Sequence, residues 1–260
     1  MRIGSVVSYC ENEHAFLAPC IEKLKQVSDI IVVSYCEKTF DGEEQDLSKL
    51  EEFKMKTPGV NFAEFSFEDI FKKDPRKGHN LGRIIGHEIL KENVDKIMFL
   101  DTDEIIDVKN FKSWRESTNE FETYDHLNLQ CHWYYRDVCF QAIQKENCVS
   151  IHSMDVLTSQ MLDSPVERWF WYNAKNTKIG AMTRDGQPLA HHYSWVRTKD
   201  QLLKKVKSWG HAEDKGGNWS AKIEACFQSD FDGNPRACLG GKTDIVHNYS
   251  YKKVSPYIQL

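Results

Sequence analysis

The sequence predicts an α/β fold: a mostly parallel, twisted sheet flanked by helices. Three observations carry this expectation. Strand and helix patterns alternate across residues 1–107. The run IIVVS at 30–34 is apolar at every position but the last, as in a strand covered on both faces. The apolar stretch KIMFL at 96–100 stops abruptly at the acidic Asp101–Glu104.

Taken in order, Ile3–Tyr9 reads as a strand, and Glu13–Val27 places Phe16, Leu17, Cys20, Ile21 and Leu24 on one helical face. Ile30–Ser34 is a second strand, Leu47–Met55 a weaker helix, and Val60–Phe65 an alternating strand. Asn80–Glu92 carries Leu81, Ile84, Ile85 and Ile89 at turn spacing, and Lys96–Leu100 is a strand again. Strands separated by helices at this spacing form a parallel sheet with right-handed crossovers. Ligands then bind outside the carboxyl ends of the strands, which points at Ser8–Glu13, Ser34–Glu37 and Asp101–Glu104.

Of the 260 residues, 40% are apolar and 12% aromatic, which excludes a disordered chain. With 34 basic residues against 39 acidic ones and a net charge of -5, no nucleic-acid partner is expected. No apolar run approaches the roughly 20 residues of a membrane span. The N-terminus MRIGSVVSYC lacks the longer apolar core of a signal peptide, so a cytoplasmic, reducing location is expected. Eight Cys at 10, 20, 36, 131, 139, 148, 226 and 238, without a C-x-x-C pair, read as buried free thiols.

The second half differs in character, with all seven Trp lying after residue 113. Leu127–Tyr135, Cys139–Ile143, Thr177–Met182 and Leu189–Tyr193 read as strands, and Thr198–Trp209 as a helix capped by Thr198. Aromatic faces match the apolar faces of sugar rings, so an aromatic-rich half suits a carbohydrate acceptor. Most of these Trp are expected to build a second core, with one or two left for the cleft. The chain is read as one domain, 1–107 holding a nucleotide and 108–260 an acceptor.

The segment FLDTDEII, 99–106, carries the sharpest chemistry. Strand alternation would put Asp101 and Asp103 on one side, two hard oxygen ligands suited to Mn2+ or Mg2+. A second signal is LAHHYSWVRTKDQLLKKVKSWGHAED, 189–214. Its adjacent His191 and His192 could supply an imidazole ligand, while Arg197, Lys204 and Lys205 could neutralise phosphate oxygens.

These segments resemble a glycosyltransferase of the GT-A fold. VVSYCENEHAFLAPCIEKL resembles the family-2 opening, and KGHNLGRIIGHEIL with KIMFLDTDEII resembles that family's Asn-Leu-Gly helix and D-x-D strand. HHYSWVRTKDQLLKKVKSWGHAE is similar to the β-1,4-mannosyl-glycoprotein N-acetylglucosaminyltransferase type. Two departures stand out: Ser34-Tyr35-Cys36 where the family usually has a base-pairing Asp, and His79 where it often has Arg.

The resemblance implies a metal-dependent transfer from a nucleotide sugar, UDP-linked before GDP-linked, to a glycan or other hydroxyl acceptor. It places Ser8, Tyr9, Glu11, Ser34, His79, Asn80 and Arg83 on the nucleotide side, and Arg197, Lys204 and Lys205 on the diphosphate. Asp101 would contact the ribose or the metal, and Asp103 the metal, with His192 as the third ligand and His191 as its substitute. An inverting displacement further needs a carboxylate to take the acceptor proton. Glu167, beside three aromatics, is the first choice; Asp185, Asp214, Glu213 and Asp155 are the others. A sugar nucleotidyltransferase is the alternative, disfavoured by a first loop, SYCENEHA, without Gly. A non-catalytic carbohydrate-binding module would leave the acidic segment unexplained.

Overall fold

The computed structural model describes residues 1–164, 174–207, 219–228, 231 and 249–260. In the first half, β1 (Ile3–Ser8) leads through a 3-10 turn at Glu11–Glu13 into α1 (His14–Leu24), then β2 (Ile30–Cys36), α2 (Ser48–Lys56) and β3 (Val60–Phe65). There follow α3 (Ile70–Lys73), α4 (Pro75–Leu90), β4 (Lys96–Asp101) and the short β5 (Glu104–Ile106). In the second half, α5 (Val108–Ser117) and α6 (Glu120–Thr123) precede two long strands, β6 (His126–Tyr135) and β7 (Asp137–Ser153). The described elements continue with α7 (Ser159–Leu162), β8 (Thr177–Ala181), β9 (Ala190–Trp195), α8 (Lys199–Lys205), α9 (Trp219–Cys226) and β10 (Tyr251–Lys253).

The result is a Rossmann-like α/β fold on one sheet of order β3-β2-β1-β4-β7-β6-β9-β5, with β8 and β10 added to β6 and β7. Strands β3, β2, β1 and β4 are mutually parallel. The second half brings antiparallel pairs, β4 with β7, β7 with β6, and β9 with β5. Sequence order reverses between β1 and β4, because the chain passes outward to β3 and returns through α4 to lie beside β1. A crevice opens at such a reversal. Register sets Ser8 beside Ser34 on one side and Asp101 on the other, so three carboxyl ends form one row.

Period-2 alternation divides the core. Ile3, Val7, Val33, Met98 and Leu100 pack under Phe16, Leu17 and Leu24 of α1. Val6, Val32, Ile97 and Phe99 pack with Leu90 of α4 and Val94. Asp74 caps α4 by accepting from the Arg76 N–H, and Pro75 occupies the first helical position, so the helix begins earlier than the apolar period predicts. Gly78, Gly82 and Gly86 lie on one stripe of α4. A methyl at Gly86 would overlap both Val6 methyls, and one at Gly82 would sit 2.9 Å from the Ser34 hydroxyl. The missing side chains let α4 lie directly on β1 and β2.

The aromatic half builds its own core. Trp133, Trp195 and Trp219 are buried with Tyr135, Leu202 and Ile223, and Trp114 lies under the main sheet. Trp169, Trp171 and Trp209 lie outside the described residues. Among the described residues, no disulfide forms. Among the described residues, no helix is long and apolar enough to cross a membrane.

At the amino end of β4, Lys96 is buried and donates to the Tyr124 carbonyl at 2.7 Å and the Ser153 hydroxyl at 2.8 Å. Nearby, the Nδ1 atoms of His126 and His152 share one hydrogen bond of 2.9 Å. Burial pushes both imidazoles below the usual histidine range, His152 furthest; His126 and Lys96 add to the effect on His152.

This packing has measurable consequences. Gly86→Ala should cost about 1–3 kcal/mol in urea unfolding, and Val6→Ala added to it should recover part of that loss. Because the unfolded chain takes up protons that the folded His126–His152 pair refuses, their contribution is complete above about pH 6.5 and is lost as pH falls below it. The unfolding midpoint should therefore drop between about pH 7.5 and 5, and a His126→Phe/His152→Leu protein should show a flatter profile.

Candidate active site

The crevice row is closed by a group of charged side chains drawn from four segments. Glu11 and Glu13 come from the 3-10 turn that follows β1, and Asp101, Asp103 and Glu104 from the end of β4 and the start of β5. His192 lies on β9 and Arg197 just beyond it, and Lys204 and Lys205 end α8. Thr198 fixes that helix: its hydroxyl accepts from Gln201 N–H while the Gln201 side chain accepts from Thr198 N–H.

The centre is Asp103, with a side chain only 2% exposed. One oxygen, Oδ2, accepts from Arg197 Nη2 at 2.7 Å and from Lys205 Nζ at 3.3 Å. The other, Oδ1, lies 3.5 Å from His192 Nε2. Arg197 Nη2 also reaches Glu13 Oε1 at 2.7 Å, and Lys205 reaches the same atom at 3.3 Å. Lys205 additionally donates to the Ser194 hydroxyl at 2.9 Å. Lys204 pairs with Glu11, whose own N–H donates to Gln45 Oε1 at 2.7 Å. Glu104, fully buried, lies 3.8 Å from His192 Nε2 and accepts the Asp101 N–H at 3.0 Å.

Burial alone would raise the Asp103 carboxyl, but Lys205, Arg197 and His192 hold it well below the usual carboxylate range. Burial and then the Asp103 charge push Glu13 up to about 7. His192 moves against its burial, up to about 10, because Asp103, Cys131 and Glu104 favour the imidazolium.

Several expected site residues come together here: Glu11, Asp103, His192, Arg197, Lys204 and Lys205. Asp101 does not share a face with Asp103. The strand ends at Asp101, and Thr102 and Asp103 form a turn, so the alternation argument fails. Thr102 secures that turn by donating its hydroxyl to the Ser8 carbonyl at 2.6 Å. Asp101 keeps the α4 face and meets Arg83 Nη2 at 3.4 Å, with a side chain 27% exposed. His191 points to the opposite face of β9, where it is buried with Tyr134 at 2.8 Å and Asp107 at 3.3 Å and stacks on Tyr257. Tyr9 packs into the α1 core with its hydroxyl 3.1 Å from His14 Nδ1.

Ser34 is buried beneath α4. Asn80 donates to the Ser164 carbonyl at 2.8 Å, and His79 meets the Phe40 ring. Among the described residues, the buried Ser8 hydroxyl at the crevice row has no hydrogen-bond partner. Asp185 is exposed in the turn before β9, beyond the end that pairs with Ile106 and away from Asp103. Asp155 lies at the amino end of β4, because Ser153 pairs with Lys96 there. Glu167, Glu213 and Asp214 lie outside the described residues. Cys131 joins the site without having been singled out, while Glu13 and Glu104 lay in the strand-end segments Ser8–Glu13 and Asp101–Glu104 without an assigned role. Glu13 was within reach of the strand-end rule, since it closes the loop after β1.

The donors do not fit a divalent ion chelated by Asp101, Asp103 and His192. Asp101 meets Arg83, Asp103 Oδ2 is taken by Arg197 and Lys205, and Oδ1 stands 3.5 Å from His192 Nε2. Among the described residues, no three His, Cys, Asp or Glu side chains meet as a metal-holding set. Arg197 also lines a cavity of about 530 Å³ with Asn12, Phe16, Arg136, Gln201 and Phe227.

No family model and no curated protein matches this sequence. Solved structures of related shape include S. aureus TarS 1–349, 10% identical with a TM-score of 0.41, covering 86% of this chain and 70% of that one. For the S. aureus TarS chain the identity is 11%, the TM-score 0.41, and the coverage 86% and 42%. Mannose-1-phosphate geranyltransferase from Thermus thermophilus is 9% identical, with a TM-score of 0.38 over 70% of this chain and 75% of that one. Likenesses this distant bear on neither activity nor site residues.

Removing Arg197 would leave Glu13 and Asp103 as buried carboxylates with less compensation. Arg197→Met should therefore cost about 3–5 kcal/mol in urea unfolding, and Glu13→Gln clearly less, because Arg197 keeps Asp103.

Proposed function

We propose that this chain is a GT-A-type glycosyltransferase that moves a sugar from a nucleotide-sugar donor, UDP-linked before GDP-linked, to a glycan or other hydroxyl acceptor. The observation that carries this reading is the placement of basic side chains at a nucleotide-type crevice. Lys204 and Lys205 stand over the carboxyl ends of β1 and β4, where the strand order reverses.

In the reaction, the bond between the anomeric carbon and the diphosphate breaks, and negative charge grows on the departing nucleoside diphosphate. Ammonium groups fixed in a partly buried place stabilise that charge with little reorganisation. The ends of β1 and β2, with Ser8 and Glu11 at the row, would seat the nucleoside. In an inverting displacement the acceptor oxygen attacks from the opposite face, and its proton passes to a carboxylate on the acceptor side. Glu167 is the proposed base, with Asp214 as the other choice. Asp185 and Asp155 are set aside, because they stand at the far ends of their strands.

The test is a thermal-shift screen with UDP, GDP, CDP and dTDP, followed by donor-hydrolysis assays with the matching sugar nucleotides. One base should raise Tm and its sugar nucleotide should be cleaved; Glu167→Gln should lower that turnover by about 100-fold or more while the donor still binds. No shift with any nucleotide, together with no cleavage of any donor, would overturn the reading.

A further inference from the structure

We infer that Asp103 is not an ion ligand but a brace, and that the ammonium groups it and its neighbours hold, Lys205 and Lys204, take the charge of the diphosphate directly. This rests on the transferase reading above and adds how the site recognises its anionic substrate.

Four observations lead there. Asp103 Oδ2 is shared by Arg197 and Lys205, and Oδ1 stands 3.5 Å from His192 Nε2. The cations are graded in depth: Arg197 is 1% exposed, Lys205 13% and Lys204 42%. Arg197 is locked, since it also donates to the Tyr193 carbonyl at 3.1 Å, whereas the two Lys stand nearer to solvent. Lys205 Nζ is fixed in place by the Ser194 hydroxyl as well as by Glu13 and Asp103, so its ammonium is already oriented before any anion arrives.

In the absence of an anion, Glu11 and Glu13 balance the two Lys. Both carboxylates sit on the short turn after β1, whose strand end lies next to Asp101. An entering diphosphate offers the same kind of acceptor oxygen at the same opening, and the ammonium groups exchange carboxylate for phosphate with small movement. Asp103 and Arg197 remain behind them as a neutral, buried pair. Asp103 is thus a positioning residue.

Inorganic pyrophosphate is the probe, titrated calorimetrically into the full chain in EDTA and again in excess Mg2+ or Mn2+. The affinity should agree within about threefold between the two conditions. Lys204→Met and Lys205→Met should each weaken it at least about tenfold, and Lys205→Arg should restore most of the loss. Asp103→Asn should weaken pyrophosphate in EDTA as much as Lys205→Met, with a pH-independent deficit. Should that variant fail to fold, the Lys series and the EDTA comparison decide.

Pyrophosphate binding that needs the metal, or that ignores both Lys substitutions, would overturn the inference. If nucleoside diphosphates still stabilise the protein in that case, the transferase reading stands without it. If neither pyrophosphate nor any nucleoside diphosphate binds under either condition, the transferase reading falls and this inference falls with it.

Discussion

One guanidinium joins parts of the chain that lie far apart. Arg197 pairs with Glu13 after β1 and with Asp103 after β4, each at 2.7 Å, and is itself 1% exposed. A buried charge is tolerated only where opposite charge and hydrogen bonds replace water. The loop after β1, the turn after β4 and the segment after β9 therefore have to arrive together. The position of α8, and with it both Lys, follows from that requirement.

The same interaction explains the unequal fates of two neighbouring carboxylates. Asp103 and Glu13 share Arg197 and Lys205, but Asp103 has His192 besides, so it stays ionised while Glu13 is pushed up towards neutrality. Such a pair titrates as a unit. The cations and carboxylates of the site consequently come close to balancing one another.

Scaffold and site are coupled through α4. Its glycine stripe lets the helix lie on β1 and β2, and the close approach carries Arg83 to Asp101. On the far side of the sheet, α1 and β9 carry the opposite set: Phe16 stacks on Tyr193, and the alternation that turns His191 into this core turns His192 towards Asp103. A one-residue slip of β9 would exchange the two imidazoles.

Local pattern was enough for the first half of the fold. The continuous apolar run of β2, the helical period of α1 and the sharp end of β4 are properties of adjacent residues, and they place the crevice at the strand ends without any tertiary information. The long β7 was legible only at Cys139–Ile143, because runs of exposed and then of buried residues replace strict alternation along the rest of it. Glu13 lay in the segment after β1 and His192 was preferred to His191 on the resemblance, whereas that Asp101 and Asp103 part company and that Cys131 lies at His192 were not legible. Each depends on a turn or on a register between segments far apart in the chain, and pairing at that range is set by what must be buried and neutralised together. The residue types and their order along the chain thus determined the sheet and its crevice, whereas charge compensation inside the folded core decided which of those residues meet.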